Sequence, residues 1–147
     1  MRWRLVDHMS DFAPWVTISG RKAISLEEYL LLEPFGRQGF LPESLILESC
    51  VELARWLVGA SSAFSLTATL SEVGEFRVDE PAGIGQLLDL TARVRNRRPD
   101  DLELECRVTS AAKPAAQGTI TVAFMPASEC FDRAALEATW GELYGAA

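Results

Sequence analysis

Ser44-Leu45-Ile46-Leu47-Glu48-Ser49-Cys50-Val51-Glu52-Leu53-Ala54-Arg55-Trp56-Leu57-Val58-Gly59 is the stretch whose reading decides the fold. Leu47, Cys50, Val51, Ala54, Leu57 and Val58 recur at i, i+3, i+4, i+7, i+10 and i+11, the period of one helix face. Ile46, Leu53 and Trp56 widen that face, so the spacing predicts a helix over 44–59 that is covered on most sides. Its polar stripe is narrow: Ser44, Glu48, Glu52 and Arg55. Pro42 just before it and Gly59 at its end are the expected start and stop signals.

Downstream of this helix the period falls to two. Leu88, Leu90, Ala92 and Val94 alternate with Asp89, Thr91, Arg93 and Arg95. Leu102, Leu104, Cys106 and Val108 alternate with charged residues and Thr109, and Ile120, Val122 and Phe124 with Thr119, Thr121 and Ala123. These are strands with one buried and one wetter face, as in an antiparallel meander. Leu66–Leu70 and Glu75–Val78 add two more, and Pro99-Asp100-Asp101 and the stretch 113–118 are the expected turns. Upstream, weak strands are expected near Arg4–His8 and Trp15–Ser19. Ser25-Leu26-Glu27-Glu28 has the capping-box form and starts a short helix through Leu32. Pro34, Gly36 and Gly39 then force a loop. At the end of the chain Asp132 caps a surface helix over about 132–144, with Phe131 and Leu136 at its staple positions. The class is α+β, a sheet wrapped around one long helix, in a single domain spanning 1–147.

Composition narrows the function classes. A chain of 147 residues with 48% hydrophobic and 24% charged residues is neither disordered nor long enough for several domains. It contains no apolar run of membrane-span length, and its first residues do not have the form of a signal peptide, so a cytoplasmic, non-membrane protein is expected. A net charge of −7 argues against nucleic-acid binding. Three scattered cysteines, Cys50, Cys106 and Cys130, fit neither a disulfide framework nor a metal site. Cys50 and Cys106 fall in apolar patterns and read as core residues, a nucleophilic role being the minor alternative. His8 is the only histidine, so any catalytic triad would have to pass through it. No metal and no cofactor is expected.

The order of these elements and several local runs resemble the hot-dog 3-hydroxyacyl-(acyl-carrier-protein) dehydratases. That family has a Leu-Val-Asp start, an Asn-Glu-Pro-Phe-Phe stretch, a His-Phe-Pro-Gly-His-Pro loop and a Pro-Gly-Val-Leu-Ile-Leu-Glu run opening its helix. Here Leu5-Val6-Asp7, Glu28-Tyr29-Leu30-Leu31, Pro34-Phe35-Gly36-Arg37-Gln38-Gly39 and Pro42-Glu43-Ser44-Leu45-Ile46-Leu47-Glu48 stand in those places. Phe76-Arg77 and Ala82-Gly83 resemble the family's Phe-Arg strand and Pro-Gly-Asp turn. The resemblance runs from Leu5 to Met125. It implies a hot-dog fold and a homodimer, and closure of an open sheet edge across a two-fold points to a dimer as well.

In the resembled family a loop His removes the C2 proton of a 3-hydroxyacyl thioester, while a helix Glu from across the dimer protonates the leaving hydroxyl. Glu48 matches that acid, with Glu52 one turn on as support. Pro34 stands where the basic His would be, and Gln38 where the second loop His would be. The resemblance therefore implies a dehydratase-like protein of fatty-acid or polyketide-type synthesis, binding or acting on thioesters of acyl-carrier protein or CoA, with its usual base missing. Two alternatives stand beside it: a non-catalytic subunit forming a heterodimer with an active dehydratase homologue, and a hot-dog acyl-CoA thioesterase that uses Glu48.

The remaining candidates are each open to two readings. Glu48 and Glu52 form either a solvated face, with Arg55 paired to Glu52, or the lining of an acyl tunnel. His8 is either a replacement base or an ordinary strand residue. Arg93, Arg95, Arg97 and Arg98 are either the wet face of a strand and its turn or a basic patch, with Arg95 and Arg97 binding a phosphopantetheine or an acidic carrier. Phe35, Gly36 and Gly39 either lie against the substrate, with loop amides near the thioester oxygen, or simply make a turn.

Overall fold

The computed structural model describes residues 5–25 and 40–144. The short helix expected from Ser25 to Leu32 lies, beyond Ser25 itself, outside the described residues, as does the loop carrying Pro34, Phe35, Gly36 and Gly39. Among those described, the chain runs β1 (His8–Ala13), β2 (Thr17–Ala23), α1 (Glu43–Ser61), β3 (Leu66–Val78), β4 (Leu87–Arg97), β5 (Asp101–Ser110), β6 (Lys113–Pro126), a 3₁₀ turn (Ala127–Glu129) and α2 (Arg133–Leu143). All six strands join one antiparallel sheet in the order β1-β2-β4-β5-β6-β3.

The long helix forms as its spacing predicts, because an all-but-continuous apolar surface is stable only when something covers it. Ile46, Val51, Leu53, Ala54, Leu57 and Val58 are fully buried, and Cys50 is 1% exposed. The inward residues of the strands, among them Leu90, Ala92, Leu102, Leu104, Cys106, Ile120 and Val122, complete the same core. Glu48, Glu52, Arg55 and Trp56 stay half-buried, as do Leu45, Leu47, Ala60 and Ser61 towards the two ends, and Glu43 and Ser44 are exposed. Pro42 occupies the N-cap position. The helix does not stop at Gly59 but continues to Ser61. It ends where Ser62 accepts from the Leu66 N–H through its hydroxyl at 3.0 Å, with Ala63 and Phe64 in the left-handed region. Side-chain capping and two turn residues thus do what a glycine commonly does.

Several boundaries differ from the sequence expectation. The first strand begins at His8 rather than ending there, and Trp15 lies in a turn with φ 58°. The two strands expected over 66–70 and 75–78 are one 13-residue strand, interrupted by register shifts at Leu70/Glu72 and Val73/Phe76. The stretch 113–118 is strand, not turn, and the reversal lies at Ala111–Ala112, with Ser110 opposite Lys113. Two-residue hairpins of this kind need positive φ at both positions, and these alanines have φ 50° and 64°. Alanine carries none of the usual Asn-Gly signal, so the turn was invisible. Left-handed alanines cost about 1–2 kcal/mol each. The double change Ala111→Asn, Ala112→Gly is therefore expected to raise stability by about 1–2 kcal/mol, read as a higher urea midpoint at unchanged slope.

Candidate functional site

α1 lies more against β3 than against any other strand. The polar stripe faces that strand: Arg55 donates from Nε to the Ala68 carbonyl on β3 at 3.1 Å and pairs through Nη1 with Glu52 at 3.4 Å. Glu48 sits one turn before Glu52 on the same stripe. It is half-buried, and among the described residues no donor reaches its carboxyl. The two carboxylates therefore differ: Glu52 is paired with Arg55, and Glu48 has no ion-pair partner among the described residues.

The start of α1 is fixed by a short contact between distant segments. Leu41 donates its N–H to the Ala82 carbonyl at 2.7 Å, and Phe40 bridges Gly83. The turn beyond is closed by Gln86, whose Oε1 accepts from the Gly83 N–H at 2.6 Å, and by Gly85, which donates to Ile24 at the end of β2. Gly85 has φ 85°, a conformation that favours glycine. The run opening at Pro42 and the Ala82-Gly83 turn, two of the pieces that carried the resemblance, are thus brought together.

Other candidates are not brought to Glu48. His8 lies on β1, at the opposite edge of the sheet from β3, in register with Arg21. Arg95 is exposed on the outer face of the sheet, beside Arg77 and Glu105. Arg97 lies over the Trp15 ring, 3.8 Å from its centroid, and the Trp15 N–H donates to the Ser61 hydroxyl at 2.8 Å. Ser61 is thirteen residues beyond Glu48, about 20 Å along the helix axis, so Arg97 is held towards the far end of α1. Cys50 and Cys106 are buried neighbours across the helix–sheet boundary. The hydrogen bond to Cys106, together with burial, pushes the Cys50 thiol up, which opposes a nucleophilic thiolate there. Phe35, Gly36 and Gly39 lie outside the described residues.

Lys22 is a buried polar residue outside the candidates named above. Inward alternation along β2 and just beyond it buries Ile18, Gly20, Lys22 and Ile24, and Lys22, opposite Leu88 near the end of the strand, is 1% exposed. A lysine in an otherwise apolar row is the signal that could have found it. No group of His, Cys, Asp and Glu suited to holding a metal occurs among the described residues. No helix among them is long and apolar enough to cross a membrane.

No family model and no curated protein matches the sequence. Solved structures do match. A Streptococcus mutans protein bound to acetyl-CoA is 16% identical, with TM-score 0.65 over 81% of this chain and 88% of that one. A hot-dog-like protein from Thermanaerovibrio acidaminovorans is 15% identical, with TM-score 0.66 over 91% and 95%. A dehydratase heterocomplex, ApeI:P, from Xenorhabdus doucetiae is 13% identical, with TM-score 0.68 over 86% of each chain. The chain has the hot-dog fold, as the resemblance implied.

Proposed function

We propose that this protein is an acyl-thioester-binding hot-dog subunit whose site lies on the α1 stripe at Glu48 and is completed by a second subunit across the free edge of β3. The observation that carries this reading is Glu48 itself: a half-buried carboxyl without a donor among the described residues, one turn from Glu52, which is paired with Arg55. Glu48 acts as the acid on a thioester substrate carried by CoA or an acyl-carrier protein. The acetyl-CoA-bound and dehydratase neighbours of the same fold support that substrate class.

The dimer rests on the two sheet edges. The outer side of β1 is bridged by Tyr144 at Met9, whereas β3 pairs with β6 alone among the described residues. An open edge invites pairing with another chain. Val73 shares a face with the buried Ile120 opposite it, yet is 40% exposed, so the helix-side face of the edge lacks its cover. Val73→Lys is expected to convert a dimer at micromolar concentration into a monomer by light scattering. A wild-type monomer would refute homodimerisation.

The reaction type is tested by offering wild type a 3-hydroxyacyl-CoA and a saturated acyl-CoA while following enoyl product and free thiol. Enoyl product supports a dehydratase, and thiol release supports a thioesterase that draws on Glu48. Binding without either product supports the second reading, a non-catalytic subunit paired with an active homologue. Pro34 in place of the family's base and the likeness to a dehydratase heterocomplex favour that second reading. If neither thioester binds, to this chain alone or to a co-purified complex, the thioester reading fails.

A further inference from the structure

β1 is one of the two outer strands of the sheet. Its sequence, His8-Met9-Ser10-Asp11-Phe12-Ala13, contains neither Lys nor Pro, the residues that most often blunt such an edge. Two structural features protect it instead, one for each half of the strand. The register shift between Ser10 and Ala13, with Asp11 at φ 49°, breaks the regular path of the second half. In the first half His8, Met9 and Ser10 pair with β2 without interruption, and there Tyr144, just past α2, bridges Met9 from outside.

One ring holds Tyr144 in that place. Trp140 stacks on Tyr144 at 4.8 Å, meets Phe12 of β1 edge-on at 5.3 Å and packs on Trp56 of α1 at 6.0 Å. With Leu143, which is 5% exposed, it seats the last turn of α2. The rest of the helix is hardly seated. A cavity of ≈ 440 Å³ separates its first two turns from α1 and the start of β3, with Ala135, Leu136 and Thr139 on the α2 side. Arg133 pairs with Glu137 within the helix. Asp132 makes no capping hydrogen bond, and Gly141 lowers the helix propensity of the last turn. An element whose buried contacts are few and gathered in one cluster opens locally, before the sheet does.

We infer that α2 is a detachable guard of the β1 edge, and that the partner it excludes is a second copy of this chain pairing through its own β1. A second copy fits because like edges pair across a two-fold. The regular half of the strand, His8 to Ser10, also holds no Asp, Glu, Lys or Arg that would repel its counterpart. The guard decides the size of the assembly. With β1 covered, pairing through the β3 edge ends at two subunits. With β1 uncovered, each subunit offers two edges that each pair with a like edge, and the chain of subunits does not close. The inference is independent of the thioester reading.

The test follows mass by light scattering, over a range of micromolar concentrations, in wild type, Trp140→Ala, Leu143→Asp, Val73→Lys and the double variant Trp140→Ala, Val73→Lys. Hydrogen exchange at the 140–144 amides reports whether α2 has left, and thermal melts verify that each variant folds. The expected result is fast exchange in Trp140→Ala and Leu143→Asp, with masses that rise with concentration beyond twice that of the monomer. Val73→Lys gives a monomer. The double variant gives a dimer and nothing larger, because a single edge is open again. That last mass separates edge pairing from general stickiness of the uncovered Trp56 and Phe64, which would add subunits without limit. Variants that release α2 yet keep the wild-type mass overturn the guard, as does a double variant that stays monomeric or grows without limit. Protected 140–144 amides in both α2 variants overturn it too, since the Trp140 cluster would then not be the anchor. A wild-type monomer removes the β3 dimer alone, and the guard then requires a dimer for Trp140→Ala.

Discussion

Glu48→Gln is expected to lower thioester turnover by about 10²–10⁴-fold while leaving thioester affinity unchanged, the range associated with removing a positioned general acid. Glutamine keeps the shape and the hydrogen-bonding reach of the side chain but has no proton to give. The loss should therefore fall on kcat, with KM level, because the interaction removed is made in the transition state. Glu52→Gln offers the contrast. Its carboxylate is held by Arg55 at 3.4 Å, so its removal should disturb that pair rather than proton transfer. In a complex with an active homologue the same measurement is made on the co-purified pair. Turnover that survives Glu48→Gln at the wild-type rate would remove Glu48 from the chemistry.

Gly118→Val is expected to destabilise the fold by about 3 kcal/mol or more, at or beyond the upper end of overpacking costs, and to abolish dimerisation with it. Gly118 lies on β6 between Cys106 of β5 and Phe76 of β3. The register shift between Val73 and Phe76 folds the β3 backbone over it. A Cβ there would stand 2.1 Å from the Glu75 carbonyl oxygen and 2.5 Å from the Phe76 Cα. Both are backbone atoms, which cannot rotate away as a side-chain tip can. The strand must be displaced, and β3 is the edge on which the proposed dimer depends. Urea unfolding and light scattering measure the two effects. Gly141→Ala on α2, where a Cβ meets nothing, is the matched control and should not lower stability.

The long helix and most of the sheet were legible because burial imposes its own period. A helix covered nearly all round must be apolar nearly all round, and strands half in water must alternate; Leu102 to Val108 alternates in this way, in register with β4 and β6. The Asp132 position was legible too, although no side-chain hydrogen bond from Asp132 caps α2. Where the backbone adopts an unusual conformation without an unusual residue, the signal disappears. Ala111–Ala112 turns the chain with no glycine or asparagine, and Ala63–Phe64 ends α1 in the same way.

For the site, the sequence by itself determined the stripe: Glu48, Glu52 and Arg55 at helical spacing on an otherwise buried helix. Tertiary structure alone decided which of these is paired, since the approach of β3 brings Arg55 to the Ala68 carbonyl and to Glu52 and leaves Glu48 without a donor among the described residues. It also separated Arg97 and His8 from that stripe and built a cavity from Trp56, Phe64 and Ala135, which lie on three different elements or turns. Helix period is a local property that hydrophobic burial writes into neighbouring residues. A pocket, an ion pair across elements and an uncovered sheet edge arise from contacts between segments far apart in the chain, and no local pattern records them.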